Sequence, residues 1–356
     1  MKKTSMAIVA ALVFAAIAFS QQQKIVLAAM PTLLDKNMSS DTTAEFEDGL
    51  HVALCGAGGP MPSANRSGAC VAVIAGNQFF VVDAGTNGAR NLGRMRYPQG
   101  EISALLLTHF HSDHIDGLGE LAMLRWVSKN NTSPLPVYGP EGVADVVNGF
   151  NMAYGQDAVH RNDHHGDAVA PLSGTGMVAH SFAVPAHGDA ITVFERDGVK
   201  IEMFAVDHSP IKPAVAYLFS YKGRTTLISG DTTKSAVLEK FSNGVDLLVH
   251  EALSITLVDL MAESAQRSGN DKRQKIFNDI LDYHTTPREA AEIARDAKVG
   301  HLLYYHIVPP LILPGMESVW LGGAEEIFSE YTVGEDGTTF SMPANSDKII
   351  KRRSGL

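Results

Sequence analysis

The chain has 356 residues, 45% of them hydrophobic and 19% charged, with a formal net charge of −10. This balance excludes an intrinsically disordered chain, and the length allows one large domain or two ordinary ones. The acidic excess argues against a nucleic-acid partner, because phosphate binding relies on Lys and Arg displacing counterions.

Residues 1–28 have the form of a signal peptide. Lys2 and Lys3 precede an unbroken apolar run over 7–19, which is short for a bilayer span. Ala18-Phe19-Ser20 offers small-x-small spacing for cleavage after residue 20, and a second apolar stretch, 25–30, makes cleavage after Ala28 an alternative. The expectation is a periplasmic or secreted protein with no membrane segment once the leader is removed. Residues 29–48 read as an irregular linker. Export would carry Cys55 and Cys70 into an oxidising compartment; geometry decides whether they pair, and both states stay open.

From residue 49 the pattern changes. Short apolar runs at 50–54, 71–74 and 79–82, separated by turn residues, read as strands. The continuous run 102–107 suits a strand covered on both faces. Helical spacing follows over 117–129, then a short strand at 137–138 and a helix over 141–154. Residues 155–190 lack periodicity and read as a loop insertion rich in His, Gly and Asp. Strands resume at 190–195, 199–206, 214–221 and 225–229. A helix near 235–241, a strand at 246–249 and a helical stretch over 253–282 with a polar break at 268–270 come next. The helix over 287–298 opens with Pro287 behind the cap Thr286, and 302–305 forms a last core strand. The domain then runs over 49–345, with a basic tail at 346–356. This order fits either a four-layer αββα sandwich or a doubly wound sheet.

The strongest chemical signal is His109-Phe110-His111-Ser112-Asp113-His114 at the end of the 102–107 strand. In extended chain His109 and His111 point the same way. Two imidazoles on one side suit a borderline metal such as zinc. The turn that follows can swing Asp113 and His114 toward a second ion.

The motif His-x-His-x-Asp-His resembles the signature of the metallo-β-lactamase superfamily. Three later strand ends extend the resemblance: Asp207-His208-Ser209, Ser229-Gly230-Asp231 and Tyr305-His306. The resemblance implies the four-layer αββα fold. It also implies two divalent metal ions, zinc being expected, held by His109, His111, Asp113, His114, His208, Asp231 and His306. Within the superfamily the chain is similar to the ribonuclease Z and arylsulfatase-like branch, through Cys55-Gly-Ala-Gly-Gly-Pro60, His250-Glu251-Ala252 and His284-Thr285-Thr286. By that resemblance His284 protonates the leaving group, Glu251 orients it, and Asp113 assists the attacking water besides binding metal. Asp231, as a bridging carboxylate, points away from true β-lactamases.

Arg66, after the glycine-rich turn, is a candidate to hold an anionic oxygen, and His164 and His165 are candidates to line a substrate pocket. His51, His180 and His301 have no partner pattern and read as structural; Asp83 reads as a turn residue or one that fixes a ligand His. Ribonuclease Z-like enzymes carry a long RNA-gripping arm in the segment matching 208–231, and this chain has no room for one. With export and acidic charge, that favours a small anionic ester substrate, an aryl sulfate or a phosphodiester. The alternatives are a ribonuclease Z-like phosphodiesterase acting on RNA or nucleotides, a lactone or β-lactam hydrolase, and a metal-binding scaffold without turnover. The oligomeric state is left open.

Overall fold

The computed structural model describes residues 19, 21–38, 40–352 and 356. The charged start and most of the apolar run of the expected signal peptide lie outside the described residues. Residues up to Ala44 form one unit and Glu45–Leu356 a second. In the first unit, α1 spans Gln22–Met38 and buries none of its residues. A helix therefore stands where a linker was expected: Leu, Ala, Lys and Met, all good helix formers, fill this segment around Pro31.

The second unit is built on two sheets. The first has eight strands in the order β15-β14-β1-β2-β3-β4-β5-β6. These are β1 Gly49–Gly56, β2 Cys70–Ala75, β3 Gln78–Val82, β4 Ile102–Leu106, β5 Leu135–Pro140, β6 Met177–Phe182, β14 Thr339–Pro343 and β15 Ile350–Arg352. The second sheet has seven, ordered β13-β12-β11-β10-β9-β8-β7. They are β7 Ala190–Arg196, β8 Val199–Ala205, β9 Val215–Tyr221, β10 Arg224–Ile228, β11 Leu247–Leu253, β12 His301–Val308 and β13 Tyr331–Val333.

Alternation along the strands sorts side chains into layers. Leu50, Val52, Val71, Phe80 and Leu106 of the first sheet meet Met203, Phe219, Val249 and Leu303 of the second in one buried core. The opposite face of the first sheet packs under α2 (Gly88–Arg94), α4 (Leu118–Ser128) and α5 (Val143–His165). The outer face of the second packs under α6 (Ala236–Phe241), α9 (Pro287–Asp296) and α10 (Met316–Leu321). This is the four-layer αββα sandwich. Thr286 closes α9 with a reciprocal capping box to Glu289. The polar break at 268–270 separates α7 (Ile255–Arg267) from α8 (Asp271–Asp279).

Two expectations are corrected. Residues 155–190 are not a loop insertion: α5 continues for 23 residues to His165, and β6 follows. Its buried residues are Val143, Val147 and Ala158, so its apolar periodicity is faint. Nor is 346–356 a free tail. Residues 350–352 pair with β14 as an edge strand, and Arg352 Nε donates to Ser341 Oγ at 2.7 Å.

Cys55 and Cys70, both fully buried, form a disulfide with Cα atoms 5.0 Å apart. Cys55 stands at the bulge between the paired residues Leu54 and Gly56, which brings it beside Cys70 across β1 and β2. No helix among the described residues is long and apolar enough to cross a membrane.

Candidate metal centre

Segments leaving both sheets converge at one end of the sandwich. β4 feeds 108–111 and the single-turn α3 (Ser112–Ile115); β8 leads to His208, β10 to Asp231, and β12 carries His306. Gly230 makes the turn before Asp231 with φ +60, where a β-carbon would lie 2.8 Å from the Val215 carbonyl oxygen. His306 is the extra residue of a bulge: Glu251 pairs with Tyr305, Ala252 with Ile307, and His306 has φ +47. The bulge takes its imidazole out of the strand's alternation and aims it at the site.

The side chains meet in three overlapping groups whose donor atoms lie within 4.8 Å of one another: His109, His111, His208 and Asp231; Asp113, His114 and His306; Asp231, His284 and His306. Asp231 is common to both sides. Its Oδ1 lies 3.4 Å from His114 Nε2, and its Oδ2 lies 3.4 Å from His306 Nε2 and 3.7 Å from His109 Nε2. The seven expected ligands are therefore all brought together.

Surrounding groups fix which ring nitrogen faces inward. His208 Nδ1 donates to the Tyr283 carbonyl at 2.9 Å. Asp83 Oδ2 sits 2.8 Å from His114 Nδ1 and accepts from Thr108 Oγ1, itself 3.1 Å from His109 Nδ1. Asp83 thus orients two ligand histidines, a partner arrangement common behind metal-binding imidazoles.

Three observations fit divalent metals. His109 Nε2, His114 Nε2, Asp231 Oδ1 and His306 Nδ1 are buried without a hydrogen-bond partner among the described residues, a state polar atoms seldom keep. Burial pushes His109, His111 and His208 down, so they stand as neutral imidazoles able to coordinate. Burial works against charge on His114 too, yet Asp231, Asp83 and Asp113 hold it well above its usual value. A positive charge is required among these carboxylates, and an ion can supply it in place of the proton. Burial likewise opposes ionisation of Asp231, but His306 and His114 keep it well below the usual carboxylate range.

At the edge of this cluster, His284 Nδ1 lies 3.1 Å from Oε1 of Glu251, which is fully buried in β11. The same oxygen accepts from the backbone N–H of Thr285 at 3.0 Å and of Thr232 at 3.2 Å. Burial disfavours the imidazolium, but the carboxylates of Glu251, Asp231 and Asp113 together outweigh it and lift His284 to about 9. His284 is a protonated acid near neutral pH.

The weaker substrate candidates fare differently. Arg66 is 5% exposed. It lines a cavity of about 370 Å³ that reaches Asp113, but its guanidinium is engaged: Nε donates to the Gly334 carbonyl at 2.7 Å and Nη2 lies 3.5 Å from Glu335. His164 and His165 meet edge to face in the exposed last turn of α5 and join none of the donor groups, because the helix carries them to the surface. His51 bonds to Ser341, His301 to Thr332, and His180 stacks on Tyr138, as structural histidines do. The Tyr283 carbonyl and Thr232 were not singled out in the sequence, since both act through the backbone.

Fold and donor set together define a metal-dependent hydrolase. The family description "Beta-lactamase superfamily domain" matches residues 79–307. Ribonuclease Z of Mycolicibacterium gilvum (strain PYR-GCK) is 34% identical over 293 residues, covering 81% of this chain and 94% of that protein. Ribonuclease Z of Mycobacterium avium (strain 104) is 34% identical over 290 residues, covering 81% and 96%. Among solved structures, the short form of human tRNase Z superposes with a TM-score of 0.59 at 21% identity, covering 82% of this chain and 99% of that one. A diphosphatase of the PhnP family gives 0.54 at 18%, covering 83% and 98%. The chain belongs to the metallo-β-lactamase superfamily, in its ribonuclease Z branch.

These relatives overturn one expectation. Acidic net charge and the short 208–231 segment pointed to a small-molecule ester and away from nucleic acid, whereas the relatives are ribonucleases. Net charge sums the whole surface. A phosphodiester meets only the local field of the centre, where metal cations do the work Lys and Arg do elsewhere.

Proposed function

We propose that the protein is a dinuclear metal-dependent phosphodiesterase that cleaves RNA. The observation that carries this reading is Asp231 set between two donor groups, with the protonated His284 at their edge. His109, His111, His208 and Asp231 would hold one ion, and Asp113, His114, His306 and Asp231 the other; mixed imidazole and carboxylate donors favour zinc. Two such ions, when bound, make water a competent nucleophile near neutral pH and neutralise charge on a phosphoryl group. The chain's own residues do the rest. Asp113 has an oxygen 3.1 Å from His306 Nε2 and accepts a hydrogen bond from the attacking water. His284 gives its proton to the departing ribose oxygen. Glu251 keeps that proton available and holds the ring by its Nδ1 edge. Leader-like residues 1–28 and the Cys55–Cys70 disulfide support export, so we place this activity in the periplasm or outside the cell.

The test is cleavage by the zinc-loaded protein of an RNA carrying a 3′ extension, of bis-nitrophenyl phosphate and of nitrophenyl sulfate, with Asp231→Ala as control. RNA and diester cleavage, lost in the control, is expected. Sulfate cleavage without diester cleavage would overturn the proposal.

A further inference from the structure

The loop over 57–68, between β1 and β2, is joined to the turn 334–337 by the Asp336 carboxylate, alongside Arg66 on Gly334 and Glu335 and the Asp336 N–H on the Asn65 carbonyl. Asp336 Oδ1 accepts from Ala57 N and from Ser67 N, both at 3.0 Å. Its Oδ2 accepts from Ser67 Oγ at 2.6 Å and from Asn91 Nδ2 at 2.7 Å. Asp336 therefore binds both ends of the loop, which the Gly58 N–H to Ser67 carbonyl bond and the Cys55–Cys70 disulfide also draw together.

Among the described residues, the loop's close approaches to the donor set fall on one group. The Ala57 carbonyl accepts from Ile307 N at 3.0 Å, next to His306. A β-carbon on Gly59 would lie 2.9 Å from His306 Cε1, and one on Gly68 would lie 2.9 Å from the Asp113 carbonyl oxygen. His306 and Asp113 belong to the same group. Left-handed backbone at a residue such as His306 persists only where neighbours enforce it. In the other group, His109 is oriented through Thr108 and Asp83, and His208 by the Tyr283 carbonyl, none of them in the loop.

We propose that Asp336 is a positioning residue for the second metal site: through the 57–68 loop it sets the affinity of the Asp113–His114–His306 side and leaves the His109–His111–His208 side intact. This rests on the dinuclear part of the proposed function. In Asp336→Asn the shape is kept, while one acceptor becomes a donor facing donors. Zinc titrated calorimetrically into chelator-stripped protein should show two sites in wild type. In the variant the second site should weaken about tenfold or more, the scale seen when groups behind metal ligands are removed, and the first should not change. Ser67→Ala, which deletes one of the bonds and keeps the carboxylate, should weaken the same site by less, and serves if Asp336→Asn does not fold. Wild-type affinity at both sites in the variants, or equal weakening of both, overturns the proposal; so does a single site in wild type. The expected pattern of metal binding in a protein that cuts no RNA would sink the RNA reading alone.

Discussion

In the proposed mechanism His284 is the residue on which the chemistry turns and whose role is easiest to isolate. Replacing it with Ala should lower kcat by roughly a hundred- to ten-thousand-fold, as loss of a positioned acid does, with metal content unchanged by elemental analysis. Its raised value, about 9, means the proton is present at lower pH and lost above it, so kcat should fall on the alkaline side. Ions bound at Asp231 and Asp113 would remove their share of that rise, which places the limb below about 9. Glu251→Gln should move it to lower pH. A limb that stays put in both variants rules out His284 as the acid. The candidate metal donors were legible from the chain because His109, His111, Asp113 and His114 crowd one strand end, and the resemblance to the superfamily pointed to His208, Asp231 and His306 at three others. Asp336 was not, because its partners lie about 245 to 279 positions away and include backbone N–H groups.

At the scale of elements, most strands and the capped helix α9 could be read from apolar spacing. The extension of α5 could not. It has few buried residues, and what holds it is lateral: Asn151 accepts from Met177 N and donates to its carbonyl, Asn162 donates to the Ala170 carbonyl, and Ala158 packs with Trp126. Two helix-interior glycines, Gly149 and Gly155, have open space where a β-carbon would go. Alanine at either should stabilise the protein by about 0.5–1 kcal/mol, read as a higher denaturation midpoint in urea. Destabilisation by both would show that the α5 surface is covered in solution. The bulge at His306 was equally hidden, since a single extra residue leaves the hydrophobic pattern of β12 intact.

For the molecule as a whole, pH acts through the buried His51 and the half-buried His301, both remote from the centre. Burial holds His301 down at about 4, and burial also lowers His51. The unfolded chain takes up the His301 proton below about 6.5 and the folded chain does not until about 4, so the stability that His301 contributes above 6.5 should be lost as pH falls through that window. His301→Gln should narrow the difference in unfolding free energy between pH 7 and pH 5 by roughly 1 kcal/mol, after allowance for partial exposure. An unchanged difference would place the acid sensitivity elsewhere. Element order narrowed the architecture to a four-layer sandwich or a doubly wound sheet, and the resemblance to the superfamily chose between them. Net charge, by contrast, misled about partners, because a sum over the surface carries no information about one cleft.

The donors proposed for each ion come from both sheets, and that makes the centre a seam. Neither half of the sandwich holds a complete coordination set, so neither is a module that could be copied, swapped or shed while keeping its chemistry. Metal affinity and the tightness of the join between halves must drift together: a substitution that eases the two sheets apart is felt at once as weaker ligation, and a bound ion guards the join against such change.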